Sequence, residues 1–370
     1  MSSQYSPPAL DGVAPKRRGE IFGHPTCLFT LFFAEMWERF SFYGMKALLI
    51  LYMVNYLFWH QDEASHVMAL YAGFVYATPL LGGLIADKIT GARWAVVIGG
   101  VIIAIGHFLL AFEPLPFFYS GLLCLVIGTG FLKPNISTQV GALYRTNDER
   151  RDSAFTIFYM GINTGAFIGP LVCGWLRLNY NYHYGFAAAG VGMVLGLIVY
   201  IAGMGAVVRR EKMIAAEEAA EEEAKKKSET SPKPAAEMAQ PALETSGERQ
   251  SLSRIYFDRS VVLIVICVFA ILFWVGFEQA ANVMNLWADK HTNLHVFRGE
   301  APMVDIADAN GAVTSAPASA PAGSGGLKDF EMTAEMSQSI NPFFIIVFAA
   351  VFAWLWQFLD RRGLQPSTPF

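Results

Sequence analysis

Apolar residues gather along this chain into runs of roughly 20, the length at which an α-helix crosses the hydrocarbon core of a bilayer. The pattern predicts membrane spans at about 27–57, 66–86, 93–112, 116–143, 154–176, 184–208, 259–288 and 340–359. The polar stretches between them alternate in basic content. Lys16, Arg17 and Arg18 precede the first span, Lys88 and Arg93 follow the second, and Arg145, Arg150 and Arg151 follow the fourth. The connections HQDEAS and EPLP carry no Lys or Arg, and the fifth carries only Arg177. Arg361 and Arg362 follow the last span. This is the positive-inside pattern, with the N-terminus in the cytoplasm. The connection 290–339 then lies outside and is long enough to escape that rule.

Two segments break the apolar rhythm. The stretch RREKMIAAEEAAEEEAKKK consists of helix formers of mixed charge, and the Pro/Ser/Glu-rich residues after it read as disordered. Residues 305–326, DIADANGAVTSAPASAPAGSGG, read as a flexible loop. The expected layout is an N-terminal tail (1–26), a six-helix bundle (27–208), a cytoplasmic linker (209–258) and a partial second bundle (259–370) with the extracytoplasmic loop 290–339. A six-span bundle followed by a linker calls for a second bundle of six, as in two-halved transporters. Only two of its spans are present before the sequence stops at QPSTPF, so the chain is expected to be a fragment of a longer protein.

Composition fits an all-α integral membrane protein. Hydrophobic residues make up 54% and charged residues 16%, against about 45–50% and 25% in soluble domains. Net charge is −4, which gives no basic surface for nucleic acid. Cys27, Cys124, Cys173 and Cys267 lie in or beside apolar runs without a CxxC partner, as small hydrophobes in packed helices do. Residues 1–20 are polar and lack the form of a signal peptide. There is no HExxH, GxSxG or metal-ligand cluster, so neither an enzyme nor a metal or cofactor site is expected.

The first span is the informative one. FAEMWERFSFYGMKALLI places Glu35, Glu38, Arg39 and Lys46 inside an apolar run. At about 100° per residue these four and Tyr43 share one side of a helix. Leu31, Phe33, Met36, Phe40, Ala47 and Leu51 take the other, so the polar side is expected to face a watery chamber. Ionisable groups inside a membrane are costly and mark functional sites. Carboxylates beside basic groups make proton sites, and Arg and Lys suit a substrate carboxylate. Lys133, beside Pro134 in span four, calls for a carboxylate partner, with Glu35 and Glu38 the candidates. Asn163 in span five and Glu278 and Gln279 in span seven are further intramembrane polar residues.

These residues resemble the proton-dependent oligopeptide transporter family of the major facilitator superfamily. That family's first-span motif, E-x-x-E-R-F-x-Y-Y-G, reads here Glu35-Met-Trp-Glu38-Arg39-Phe40-Ser-Phe42-Tyr43-Gly44, with Phe42 in place of a tyrosine. GGLIADKITGAR is similar to the superfamily's loop between spans two and three, through Gly83, Asp87, Lys88, Gly91 and Arg93. FYMGINTGAFIGP, FLKPN, FEQ and INPFFI resemble further family strings in the same order.

The resemblance implies the superfamily fold and a symporter importing di- and tripeptides by alternating access, with protons as coupling ion and no cofactor. It implies proton coupling by Glu35, Glu38, Arg39 and Lys133, and peptide binding by Arg39, Tyr43, Lys46, Tyr76, Lys133, Tyr159, Asn163, Glu278 and Asn341. Asp289 takes the place of an outer-gate acid. The expected setting is the inner or plasma membrane, with the protein a monomer in lipid. Lys46 stands where many relatives have arginine, and the family's span-two histidine has no counterpart. Two other readings stay open: the same fold carrying nitrate or another organic anion, and a membrane scaffold or sensor that transports nothing.

Overall fold

A computed structural model of the protein describes residues 20–148, 150–230, 252–291, 303–307, 313–317, 333–360 and 362. The basic tail residues Lys16, Arg17 and Arg18, the part of the linker at 231–251, Arg361 and the terminal QPSTPF lie outside the described residues.

A short antiparallel hairpin, β1 (Glu20–Ile21) and β2 (His24–Pro25), leads into α1 (Thr26–Leu51), which tightens into a π-helical turn at Tyr52–Tyr56. Then come α2 (Gln61–Ile85), α3 (Ala92–Leu110), α4 (Leu115–Ala142), α5 (Arg150–Asn179) and α6 (Tyr182–Thr230). Asp62 and Glu63 in the first turn of α2 complement its positive dipole end. A π-helical turn at Ala86–Thr90 and Gly91, at φ 74°, separate α2 from α3. That left-handed backbone is why a glycine ends the GGLIADKITG turn.

α1 is the bundle's centre. It packs on α5 and α6, while α3 packs on α4 and α6, and α2 on α4. Both sides of α1 are consequently shielded. Leu28, Leu31, Met45 and Leu48 to Leu51 are fully buried, and Glu35, Glu38, Arg39 and Lys46 are only 1–7% exposed. The expected wet face is thus closed in this conformation. Close approach needs small residues. A Cβ on Gly165 of α5 would overlap the Met36 carbonyl of α1, so these backbones touch where GINTG faces EMWER.

Six helical segments among the described residues are long and apolar enough to cross a bilayer, and α1 is not one of them. Its four ionisable residues lower its hydropathy, and its burial among the other helices replaces lipid as its solvent.

Three features differ from expectation. α6 does not stop near 208 but runs on as one helix to Thr230, forming an arm of about six turns beyond the apolar stretch. Glu222 and Lys226 pair at i,i+4 on it. The seventh span is not continuous. α7 (Leu252–Glu278) ends in a 3₁₀ turn at Gln279–Ala281 before α8 (Val283–His291). The Ala/Pro/Gly/Ser stretch is not loop throughout, because β3 (Met303–Ala307) and β4 (Val313–Pro317) pair antiparallel within and just ahead of it. A single turn α9 (Ala334–Ser337) precedes α10 (Ile340–Asp360), which packs on α5. The apolar window of α7 by contrast has no buried residue.

Candidate functional site

The charges of α1 meet at two levels, about two turns apart. At the lower level Arg39 Nε lies 2.9 Å from Glu35 Oε1 and also pairs with Glu38 Oε2. The Glu35–Arg39 contact is the i,i+4 neighbour relation written in the sequence. Isolated carboxylates at 1–3% exposure would be prohibitive to bury; one guanidinium between two of them offsets that cost. At the upper level Lys46 Nζ donates to Glu278 Oε2 at 2.7 Å, and Tyr76 Oη donates to Glu278 Oε1 at 2.8 Å. Glu278 therefore ties α7 to both α1 and α2. It can do so because α7 ends there, leaving its last side chain free to reach across.

Phe42 lies between the two levels. Its ring centroid is 5.2 Å from Arg39 Cζ and 5.8 Å from Lys46 Nζ. Both fall within the reach of a cation–π contact, so the ring that replaces the motif's tyrosine keeps two like charges apart.

Lys133 does not pair with Glu35 or Glu38 here. Arg39 holds both acids, and the Lys133 ammonium sits 5.0 Å over the Tyr76 ring, in electrostatic reach of Arg39, Glu38, Glu35 and Lys46. Among the described residues no carboxylate comes within 4.0 Å of it. Tyr76 and Tyr159 are about half exposed, at 48% and 51%. Tyr43 is partly buried, between Phe42 and the acid cluster. Asn163 is buried and donates to the Tyr159 carbonyl, one turn back on its own helix. Asn341 is exposed at the start of α10, and no hydrogen bond among the described residues joins it to the cluster.

Asp289 accepts from Asn55 Nδ2 at 3.0 Å on the face opposite the N-terminus. The same seam is closed by Ser65 donating to Asn282, by the buried Asn285 donating to the Ala47 carbonyl, and by Ser339 donating to the Phe167 carbonyl. Its strongest bond was not anticipated. Arg177, at the end of α5, pairs with Glu335 of α9 through two nitrogens, and the Glu335 side chain is fully buried. The signal available was a lone arginine after span five and acids ahead of span eight, Glu335 the last of them. His107 was also missed. It is buried in α3, 2.5 Å from Ser41 Oγ of the EMWERFSFYG segment. Of the residues in the turn after α2, Asp87, Lys88 and Arg93 are exposed, and Arg93 is in electrostatic reach of Glu211 on the α6 arm.

Comparison with known proteins agrees with this architecture. Residues 93–220 match the family model described as the POT family. An uncharacterized transporter, YclF, of Bacillus subtilis (strain 168) is 38% identical, with 94% of this chain aligned to 70% of the relative. The peptide transporter YePEPT of Yersinia enterocolitica is 33% identical over the same shares of the two chains. A crystal structure of a glutamate-to-glutamine mutant of the peptide transporter POT with sulfate superposes with a TM-score of 0.66 at 32% identity, over 94% of this chain and 71% of the other. With its helical bundle, its intramembrane charge cluster and these relatives, the chain belongs to the POT family of multi-pass membrane transporters.

Proposed function

We propose that the protein imports di- and tripeptides together with protons by alternating access, in the inner or plasma membrane, with its N-terminus in the cytoplasm. The observation that carries this is the uneven engagement of the three basic groups. Arg39 and Lys46 each hold carboxylates, while Lys133 sits over the Tyr76 ring with no carboxylate within 4.0 Å among the described residues. An incoming peptide carboxylate finds one uncommitted ammonium with an aromatic wall, and two more cations that become available when their acids take up protons. Glu35 and Glu38 are the proton acceptors at the lower level and Glu278 at the upper. Protonating Glu278 removes the charge that ties α7 to Lys46, which gives proton binding a lever on the relation of the two bundles. The bonded seam from Asp289 to Arg177–Glu335 fits a conformation closed on the far face.

The test uses the full-length protein in proteoliposomes under an imposed proton gradient. Wild type is expected to concentrate labelled dialanine. Glu38→Gln is expected to lose concentrative uptake while retaining exchange of bound substrate. Uptake by that variant at the wild-type level would remove the coupling role. A cargo of nitrate or another organic anion would appear as uptake that unlabelled dialanine does not compete.

A further inference from the structure

The hairpin that opens the described chain is held in an unfavourable shape. Phe22 and Gly23 form its two-residue turn, at φ 50° and 78°. Glycine accepts a left-handed backbone, but a bulky side chain there is strained, and such strain persists only where the surroundings hold it. What holds this turn is the connection between α4 and α5. His24 is 6% exposed, its Nδ1 is 2.8 Å from Tyr144 Oη and its Nε2 is 3.3 Å from Ser153 Oγ. Arg150 Nη1 reaches Glu20 Oε1 at 3.4 Å and the Gly23 carbonyl at 3.3 Å while its other nitrogens grip Asp148.

The proton positions follow from counting. The Ser153 hydroxyl donates its single proton to the Arg150 carbonyl at 2.9 Å. Towards His24 it can only accept, so Nε2 carries the ring proton. Nδ1 is then bare and accepts from the Tyr144 hydroxyl. The dock thus holds a neutral imidazole with both ring nitrogens bonded. A second proton would make the ring a cation where it is almost fully buried and beside Arg150, whose guanidinium already lies 6.0 Å over the Tyr144 ring.

We propose that His24 is a proton sensor on the N-terminal face of the transporter, whose protonation releases the β1–β2 hairpin from the α4–α5 connection. The groups around it are Arg150 on α5, Asp148 in the connection, Glu20 on β1 and Tyr144, which itself faces Arg210 on α6 and Cys27 on α1. Burial holds the imidazole below its ordinary 6.5 and Arg150 adds to that; Asp148 and Glu20 oppose it less strongly. The sign follows. The docked state binds protons less well than the free one, so docking is at full strength above 6.5 and weakens as pH falls below it. The loss is about tenfold in the docking constant per pH unit until the lowered docked value is reached.

The consequence belongs to the mechanism. The connection that the hairpin braces joins α4, which carries Lys133, to α5, which carries Tyr159 and Asn163. An importer that brings protons through acidifies the compartment it fills. On the cytoplasmic orientation proposed above, that acid arrives at His24 and slackens the helices that hold the substrate, a feedback that slows uptake. This last step rests on the transport reading; the release of the hairpin does not.

The two are tested separately. Amide hydrogen exchange of residues 20–25 and 143–153 is measured on the whole protein in detergent at pH 7.5, 6.5 and 5.5. Taking the ratio of wild type to His24→Gln at each pH cancels the intrinsic pH dependence of exchange. The neutral amide offers a donor and an acceptor but does not titrate. The ratio is expected near one at pH 7.5 and to rise several-fold by 5.5. A ratio flat across the range overturns the proposal. In parallel the His24 ring is titrated by NMR with labelled histidine, its signal assigned by its loss in His24→Gln. This reading stands even where the glutamine docks poorly. A midpoint at or above 6.5, or hairpin exchange that does not follow that midpoint, also overturns the sensor. Uptake against internal pH, compared between the same two proteins, then decides the feedback alone.

Discussion

At the scale of single residues, the site is a problem of sharing too few cations among buried acids. Arg39 serves Glu35 and Glu38 together, and among the described residues no other basic group lies within ion-pair distance of either. Replacing it with Met would leave two carboxylates side by side in the bundle centre. Removing one member of a buried pair costs about 3–5 kcal/mol, so Arg39→Met is expected to lower the melting temperature in detergent far more than Lys46→Met, whose partner Glu278 keeps Tyr76. Equal melting shifts would show that Arg39 is not the keystone. Phe42 makes a finer test. Each cation over its ring is worth about 0.5–2 kcal/mol. Phe42→Tyr keeps both contacts and is expected to leave stability within about 0.5 kcal/mol. Phe42→Leu fills similar space without a π face and is expected to cost about 1–3 kcal/mol by equilibrium unfolding. The acid–base face of α1 was legible in the sequence because the helix period alone brings Glu35 to Arg39. The bond from Lys46 to Glu278 was not, since 232 positions separate them and only the folded chain joins α1 to α7. Nor could spacing show that Arg39 would satisfy both acids and leave Lys133 over Tyr76.

At the scale of elements, every predicted apolar run is helical, the seventh as two helices, because membrane burial leaves backbone groups few other partners. What the runs could not give was where helices stop. Hydropathy ends at 208, but the polar residues after it are strong helix formers, so α6 continues to Thr230 with Thr146 donating to Glu218 and Arg145 paired with Glu221 on its arm. The break after Glu278 escaped notice for the opposite reason: its residues are apolar enough to read as one span. Glycine placement is testable at this scale. Gly165 meets the Met36 carbonyl, whereas a Cβ on Gly205 of α6 would meet nothing within 4 Å. Gly165→Ala must push α5 from α1 and is expected to destabilise by about 1–3 kcal/mol. Gly205→Ala is expected to be neutral or stabilising by up to about 1 kcal/mol through helix propensity. Thermal unfolding of the two variants side by side measures the difference; similar shifts would mean the α1–α5 approach is not tight.

At the scale of the whole molecule, the helices of the first bundle meet the later segments where α10 packs on α5, along the far-face seam and at Glu278, and the seam and Glu278 carry the polar bonds. Arg177–Glu335 is the one in which a titratable side chain is completely covered. Glu335 lies in the turn ahead of α10, and burial lifts its carboxyl above the ordinary range despite the opposing pull of Arg177. The closed seam therefore holds a proton on Glu335 more readily than the open one. By linkage, closure is favoured at low pH and loses stability as pH rises from 4.5 through that raised value. Arg177 limits the effect, because the ion pair it forms rewards the charged carboxylate. Two variants separate these opposing influences. Glu335→Gln is expected to make closure independent of pH over that window. Arg177→Gln removes the counter-charge, lifts the Glu335 carboxyl further and moves the pH dependence upward. Closure is read by thiol labelling of a cysteine placed at Ser339, whose hydroxyl now bonds the Phe167 carbonyl across the seam. Labelling, corrected with a fully exposed cysteine, should rise with pH in the parent, stay level in the Glu335→Gln background and rise at higher pH with Arg177→Gln. A rise in the Glu335→Gln background equal to the parent's would place the titrating group elsewhere, with Asp289 the next candidate among the described residues of the seam.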